Sequence, residues 1–156
     1  MNTARKRQLV RLQGSLPKGA LRMDERTLAG HSGDKWFASH PPEAVAFPRS
    51  TKAVSQILQF ANKHKIPLTA RGAGYGYVGG CVPVRGGIAL SLKKMNRIRE
   101  VSEDDFVAVV QPGVITAALQ NAVEAKRLYY PPDPASRSDC SIGAVSYTHL
   151  TLPTKA

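Results

Sequence analysis

Arg71-Gly72-Ala73-Gly74-Tyr75-Gly76-Tyr77-Val78-Gly79-Gly80 is the stretch on which the fold of this chain turns. Half of it is glycine, and glycine loses more conformational freedom on folding than any other residue. One gain that offsets the loss is close approach of backbone N–H groups to a large anion. Without a Cβ the chain takes positive φ, and successive N–H groups converge as a nest around phosphate oxygens. Arg71 at the entrance adds a positive charge. A plain surface turn is the other reading of an isolated glycine run, so the flanks have to decide.

Ile66-Pro67-Leu68-Thr69-Ala70 ahead of the loop reads as a short strand, and Ile88-Ala89-Leu90-Ser91-Leu92 behind it as a second. The loop therefore joins strand to strand. Gly74-Tyr75-Gly76-Tyr77-Val78-Gly79 fits G-x-G-x-x-G by letter. A dinucleotide fingerprint, however, opens into a helix and needs an acid closing the next strand. Gly79, Gly80, Pro83, Gly86 and Gly87 forbid a helix, and Lys93-Lys94 follows the next strand. These features argue against a Rossmann NAD site, and the lack of Gly-Lys-Ser/Thr argues against a P-loop.

Upstream, Ala44-Val45-Ala46-Phe47-Pro48 reads as a strand ended by proline. Ser50 or Thr51 then caps a helix whose Val54, Ile57, Leu58 and Ala61 share one face. Lys63-His64-Lys65 complements its negative end. This strand–helix–strand unit puts the glycine loop at a strand's carboxyl end, where open α/β sheets bind ligands. Downstream, Ile98 to Val101 and Phe106 to Val110 read as a strand pair around the turn Ser102-Glu103-Asp104-Asp105. Pro112-Gly113 ends the second strand. A helix with Ala118, Leu119, Ala122 and Val123 on one face closes at Lys126-Arg127, ahead of the rigid Pro131-Pro132-Asp133-Pro134 segment.

Several of these motifs together resemble the flavin-binding domain of the vanillyl-alcohol-oxidase (PCMH) type, in the D-lactate dehydrogenase and glycolate oxidase subunit branch of the FAD-linked oxidases. They are Arg-Gly-Ala-Gly from Arg71, Gly79-Gly80, Gly86-Gly87-Ile88, Met95-Asn96-Arg97-Ile98, Val110-Gln111-Pro112-Gly113-Val114-Ile115 and Tyr130-Pro131-Pro132-Asp133-Pro134-Ala135-Ser136. The resemblance covers roughly residues 32–143. It implies an α+β fold, the first lobe of a two-lobed FAD-binding domain: a small mixed sheet flanked by helices. It also implies that the loop residues Arg71, Gly72, Ala73, Gly74, Tyr75, Gly76, Gly79 and Gly80 hold the FAD pyrophosphate. The proline segment with Pro132 and Asp133 and the Ser-to-Gly stretch after it would form the second wall, with backbone groups near Ser138, Cys140, Ile142 and Gly143 contacting the cofactor, and Gly113 is also expected to bind it. Tyr75 stands four positions after the loop Arg, where relatives with a covalent flavin often carry His, so the FAD is expected to be non-covalent.

The implied activity is oxidation of a 2-hydroxy acid of the D-lactate or glycolate type by hydride transfer to FAD, with an electron-acceptor subunit or a quinone as possible partner. The family's catalytic groups lie in later sequence, so no catalytic residue is assigned here and this chain by itself is expected to be inactive. Residues 1–35 are read as a lead-in and 36–143 as an incomplete FAD-binding domain. Residues 144–156, containing Val145-Ser146-Tyr147-Thr148-His149-Leu150-Thr151-Leu152-Pro153-Thr154, look like the translation of a sequencing adapter, a tail foreign to the fold.

The 22 basic and 11 acidic residues give a formal net charge of +11, and a basic binding module for nucleic acid or another anion is the alternative function. The basic residues are scattered without interleaved aromatics, which speaks against nucleic acid. Arg5-Lys6-Arg7-Arg11 reads as a solvated helix face. Cys81 and Cys140 make neither a disulfide framework nor a metal site. His31, His40 and His64 are not at ligand spacing, so no metal is expected. No apolar run reaches spanning length, and the expected location is cytoplasmic.

Overall fold

The computed structural model describes residues 3–144. The segment from Val145 onward, most of the suspected foreign tail, lies outside the described residues. The chain builds two layers in sequence order, and the strand-to-strand loop links strands of the first.

Helix α1 (Thr3–Ser15) opens the chain, and its Leu9 and Leu12 are buried, followed by Leu16. This i, i+3, i+7 spacing lays one stripe on the sheet. Leu9, Leu12, Leu16 and Leu21 share one core with Ala44, Ala46, Ile57, Ala61, Ile66, Ile88 and Leu90. The lead-in is thus packed into the first layer. Arg5, on the basic face, reaches Glu43 at 3.2 Å, and the Glu43 carboxylate also accepts from Gly87 N. Strand β1 (Leu21–Arg22) and the short helix α2 (Glu25–Ala29) follow, α2 being capped by Asp24, which accepts from Thr27 N.

Strand β2 (Ala44–Ala46), helix α3 (Thr51–Lys63), strand β3 (Leu68–Arg71) and strand β4 (Ile88–Ser91) realise the unit read from the sequence. Ser50 is the α3 cap, its hydroxyl accepting from Ala53 N. The helix stops in a Schellman motif: Lys65 N donates to Asn62 O and Ile66 N to Ala61 O, with Lys65 at φ 52°. The sheet order is β1-β2-β4-β3, with β2, β4 and β3 parallel and β1 antiparallel. Gly87 lets β4 enter beside β3. It has φ +72°, and a Cβ there would run into the Pro67 carbonyl, to which Ile88 N donates at 2.8 Å.

One position on α3 differs from expectation. Leu58 is 45% exposed, and Phe60 packs on the core in its place. The buried face centres on Ile57 and Ala61 with Val54 and Phe60 at its margins, and Leu58, 100° further round from Ile57, faces water.

The second layer is the antiparallel hairpin β5 (Ile98–Ser102) and β6 (Val107–Val110), with helix α4 (Thr116–Glu124) across it. Val114, Leu119 and Val123 form its core. The buried stripe of α4 is Thr116, Leu119, Gln120 and Val123, whereas Ala118 is exposed. Gln120 turns inward because its amide donates to Pro132 O at 3.0 Å, which holds the proline segment. Gly113 joins the layers: its N donates to Met95 O at 2.7 Å, and a Cβ would sit 2.5 Å from Leu92 O.

Candidate cofactor site

The loop leaves β3 at its carboxyl end and returns to β4 without a helix. Gly74 and Gly79 take φ of +82° and +72°, which only glycine adopts without strain. The chain bends at both, and a turn after Gly79 closes where Val82 N donates to Gly79 O at 3.0 Å. A cleft of about 210 Å³ opens on the loop, lined by Gly72, Gly74, Tyr75, Gly76 and Gly80, together with Ala70, Val78, Cys81, Gly143 and Ala144.

Two observations test whether this cleft fits a pyrophosphate. Among the described residues no protein acceptor meets the N–H groups of Gly74, Tyr75, Gly76, Tyr77, Val78 or Gly80. Buried backbone N–H groups normally find a partner. Tyr77, Val78 and Gly80 are exposed to water, but Gly74 is buried and Tyr75 and Gly76 half-buried, and adjacent unmatched donors there suit an anion with several acceptor oxygens. Second, a Cβ on Gly76 would meet nothing nearer than Asp34 Oδ2 at 3.9 Å, and one on Gly80 nothing nearer than Val78 Cγ2 at 4.0 Å. Neither glycine is required by internal packing or by positive φ. What their missing side chains leave is open space beside unmatched donors, and the residues present fit the group.

Arg71 does not stand at the entrance as a free charge. The turn at Gly74 brings the loop under its guanidinium, so that a Cβ on Gly74 would run into it. Arg71 Nη1 donates to Gly33 O and lies 3.3 Å from Cys81 Sγ. Burial pushes the Cys81 thiol up, with Arg71 beside it pulling the other way. The Tyr75 ring sits 4.4 Å beneath Lys35 Nζ.

The C-terminal wall is brought together only in part. Ser141 is buried, and its Oγ accepts from Ala73 N at 3.1 Å; a Cβ on Gly72 would sit 2.7 Å from the same Oγ and 2.6 Å from Ala144 Cβ. Gly143 lines the cleft, but its N–H is donated to Pro112 O and that of Ile142 to Val114 O. Cys140 is wholly buried: its N donates to Ser136 O, its O accepts from Thr116 N, and its Sγ is 3.2 Å from Thr116 Oγ1. Gly113, Pro132, Asp133, Ser138, Cys140 and Ile142 do not line the cleft. Pro132 O holds Gln120, and Asp133 pairs with Arg137 in the open. Two residues that hold the loop went unread in the sequence. Asp34 accepts from Gly79 N at 2.8 Å and Ser141 from Ala73 N, contacts spanning 45 and 68 residues with no local signal.

The profile of a family described as an FAD binding domain matches residues 42–151. The chain belongs to this FAD-binding family of the FAD-linked oxidases. Its cofactor is FAD. Similar curated proteins are the glycolate oxidase subunit GlcD of Bacillus subtilis (46% identical over 102 residues) and the D-2-hydroxyglutarate dehydrogenase of Stutzerimonas stutzeri (41% over 120). The alignments cover 65% and 77% of this chain but only 22% and 26% of those proteins, so the chain spans about a quarter of their length. Among solved structures, a 4-ethylphenol oxidase from Gulosibacter chungangensis is 30% identical with a TM-score of 0.73, covering 87% of this chain and 27% of that one. An alkyldihydroxyacetonephosphate synthase at 20% identity has a TM-score of 0.80, over 88% of this chain and 28% of that one, and shares the fold. Among the described residues no helix is long and apolar enough to cross a membrane.

Proposed function

We propose that this chain is the pyrophosphate-holding part of a flavoenzyme that oxidises a 2-hydroxy acid, of the D-lactate, glycolate or D-2-hydroxyglutarate type. The observation that carries the cofactor half is the set of unmatched N–H groups of Gly74, Tyr75, Gly76, Tyr77, Val78 and Gly80, beside the open faces of Gly76 and Gly80. The substrate half rests on the names of the similar proteins, glycolate oxidase subunit and D-2-hydroxyglutarate dehydrogenase.

When bound, FAD supplies the redox chemistry by accepting a hydride from the substrate carbon that bears the hydroxyl. The residues of this chain bind and orient. The loop N–H groups would hold the phosphates as fixed dipoles, and Gly76 and Gly80 would allow close approach. Arg71 holds the loop in shape while adding positive potential nearby. We propose that the FAD is non-covalent, because Tyr75 is engaged with Lys35 and offers no imidazole. An electron-acceptor subunit or a quinone is the proposed partner, in keeping with the subunit designation of GlcD. The alternative, a non-enzymatic basic module, has only the net charge of +11 behind it.

The test is to purify the intact gene product and record its visible spectrum. Reduction of a dye acceptor is then followed with D-lactate, glycolate and D-2-hydroxyglutarate, each against its L isomer where one exists. A flavin band with turnover of at least one of these acids is expected. A colourless protein would refute the cofactor assignment, and a yellow one inert toward all three acids the substrate class.

A further inference from the structure

The loop is pinned from a segment that no motif marks. Three consecutive residues, Gly33, Asp34 and Lys35, hold it at three points. Gly33 O accepts from Arg71, Lys35 N donates to Gly76 O at 3.1 Å, and Asp34 Oδ2 accepts from Gly79 N at 2.8 Å. The second carboxylate oxygen, Oδ1, accepts from Trp36 N at 2.8 Å, which fixes the aspartate itself. Gly76 and Gly79 bracket the exposed tip Tyr77-Val78, so both ends of the tip are tied to adjacent residues.

We propose that Asp34 is the positioning residue of the cofactor site: its carboxylate, by taking the Gly79 N–H, sets the loop so that the remaining N–H groups face the cleft. The inference rests on the loop being the pyrophosphate cradle. A carboxylate close to a phosphate site ordinarily weakens anion binding by repulsion. Here both oxygens accept backbone N–H bonds, one from Trp36 that fixes the aspartate and one from Gly79, and the order the second imposes on the glycine-rich loop outweighs that repulsion. A hydrogen bond to a charged acceptor is among the stronger ones, and the segment it restrains has more conformational entropy to lose than any other composition. The opposite role, a self-blocking anion competing with phosphate for the loop, predicts the opposite sign on removal.

The test uses the intact gene product, stripped of flavin and titrated with FAD. Asp34→Ala is expected to raise the dissociation constant about tenfold or more. Asp34→Asn keeps one carbonyl acceptor and should recover part of that loss. Asp104→Ala, which makes the same charge change in the distant β5–β6 turn, should bind as wild type. Amide hydrogen exchange of the flavin-free protein gives a separate readout. Gly79 N–H should exchange about tenfold faster in Asp34→Ala, with protection in α3 and β4 unchanged. An Asp34→Ala protein that binds FAD as tightly as wild type or tighter, an Asp34→Asn protein without recovery, or unchanged Gly79 exchange would each overturn the assignment. Wild-type protein that takes up no FAD would instead refute the cofactor site itself, and Gly79 exchange would still report whether Asp34 holds the loop.

Discussion

Gly76→Ala separates binding from folding in this site. At most glycines the two are confounded: a Cβ at Gly113 would press on Leu92 O and Met95 O, and one at Gly87 on Pro67 O. At Gly76 the nearest atom to a new Cβ is 3.9 Å away and φ is not in the left-handed region. Replacing glycine by alanine at a compatible position removes unfolded-state entropy and stabilises by about 0.4–1 kcal/mol. The flavin-free Gly76→Ala protein should therefore melt at or slightly above the wild-type temperature. The methyl group would add bulk at a residue that lines the cleft. If it displaces the pyrophosphate from one charge-assisted hydrogen bond, the loss is about 1.5–3 kcal/mol, or roughly 10- to 150-fold in affinity. The assay is FAD titration by quenching of flavin fluorescence, beside thermal melting of the apoprotein. Gly80→Ala serves as a second case with the same open geometry. Wild-type affinity in both variants would show that the cofactor does not lie against this face, and a drop in apoprotein stability would refute the reading of Gly76 as free of internal packing.

Three further outcomes follow from the same geometry. Gly74→Val should lose flavin binding and also lower apoprotein stability by about 1–3 kcal/mol of backbone strain, because it displaces the Arg71 guanidinium as well; Lys6→Ala on the exposed face of α1 should change neither, and equal flavin content in Gly74→Val and wild type would count against the loop. Acid precipitation of the holoprotein should release the yellow colour into the supernatant, and colour retained in the pellet would mean a covalent link. His31, edge-on to Phe47 and with Nδ1 2.9 Å from Thr27 O, is held below the ordinary imidazole value chiefly by burial, with Arg71 and Lys93 adding to the shift. As pH falls the unfolded chain takes up this proton first, so the contribution is fully present above the ordinary imidazole value and is lost as pH drops through it toward the depressed folded one. The melting temperature should thus decline between about pH 7 and pH 5, and His31→Phe should flatten that decline; an unchanged slope would rule His31 out as its source.

The sequence by itself determined the parts whose causes are local. Ser50 caps α3 with its own hydroxyl three residues from Ala53 N. The β5–β6 turn closes where Ser102 and Asp105 bond each other. The glycine spacing between two short apolar runs announced a strand-to-strand loop, because φ preference and side-chain volume belong to single residues. What the tertiary structure decided are the contacts that cross the chain. Leu58 fell on the wrong side of α3 because the sheet, not the helix period, selects which face is buried. Arg71 had the right residue type for an anion site, yet its partner lies 38 residues upstream at Gly33, and that contact makes it a clamp. Asp34 and Ser141 hold the loop from opposite ends of the sequence, 45 and 68 residues away. Cys140 and Ile142 sit in the segment that the motif order marked for the cofactor, but Ser136 takes the Cys140 N–H, Thr116 of α4 the Cys140 carbonyl and Val114 the Ile142 N–H. Periodicity and turn chemistry fix which elements form; which donors remain unmatched is known only once every element has taken its partners.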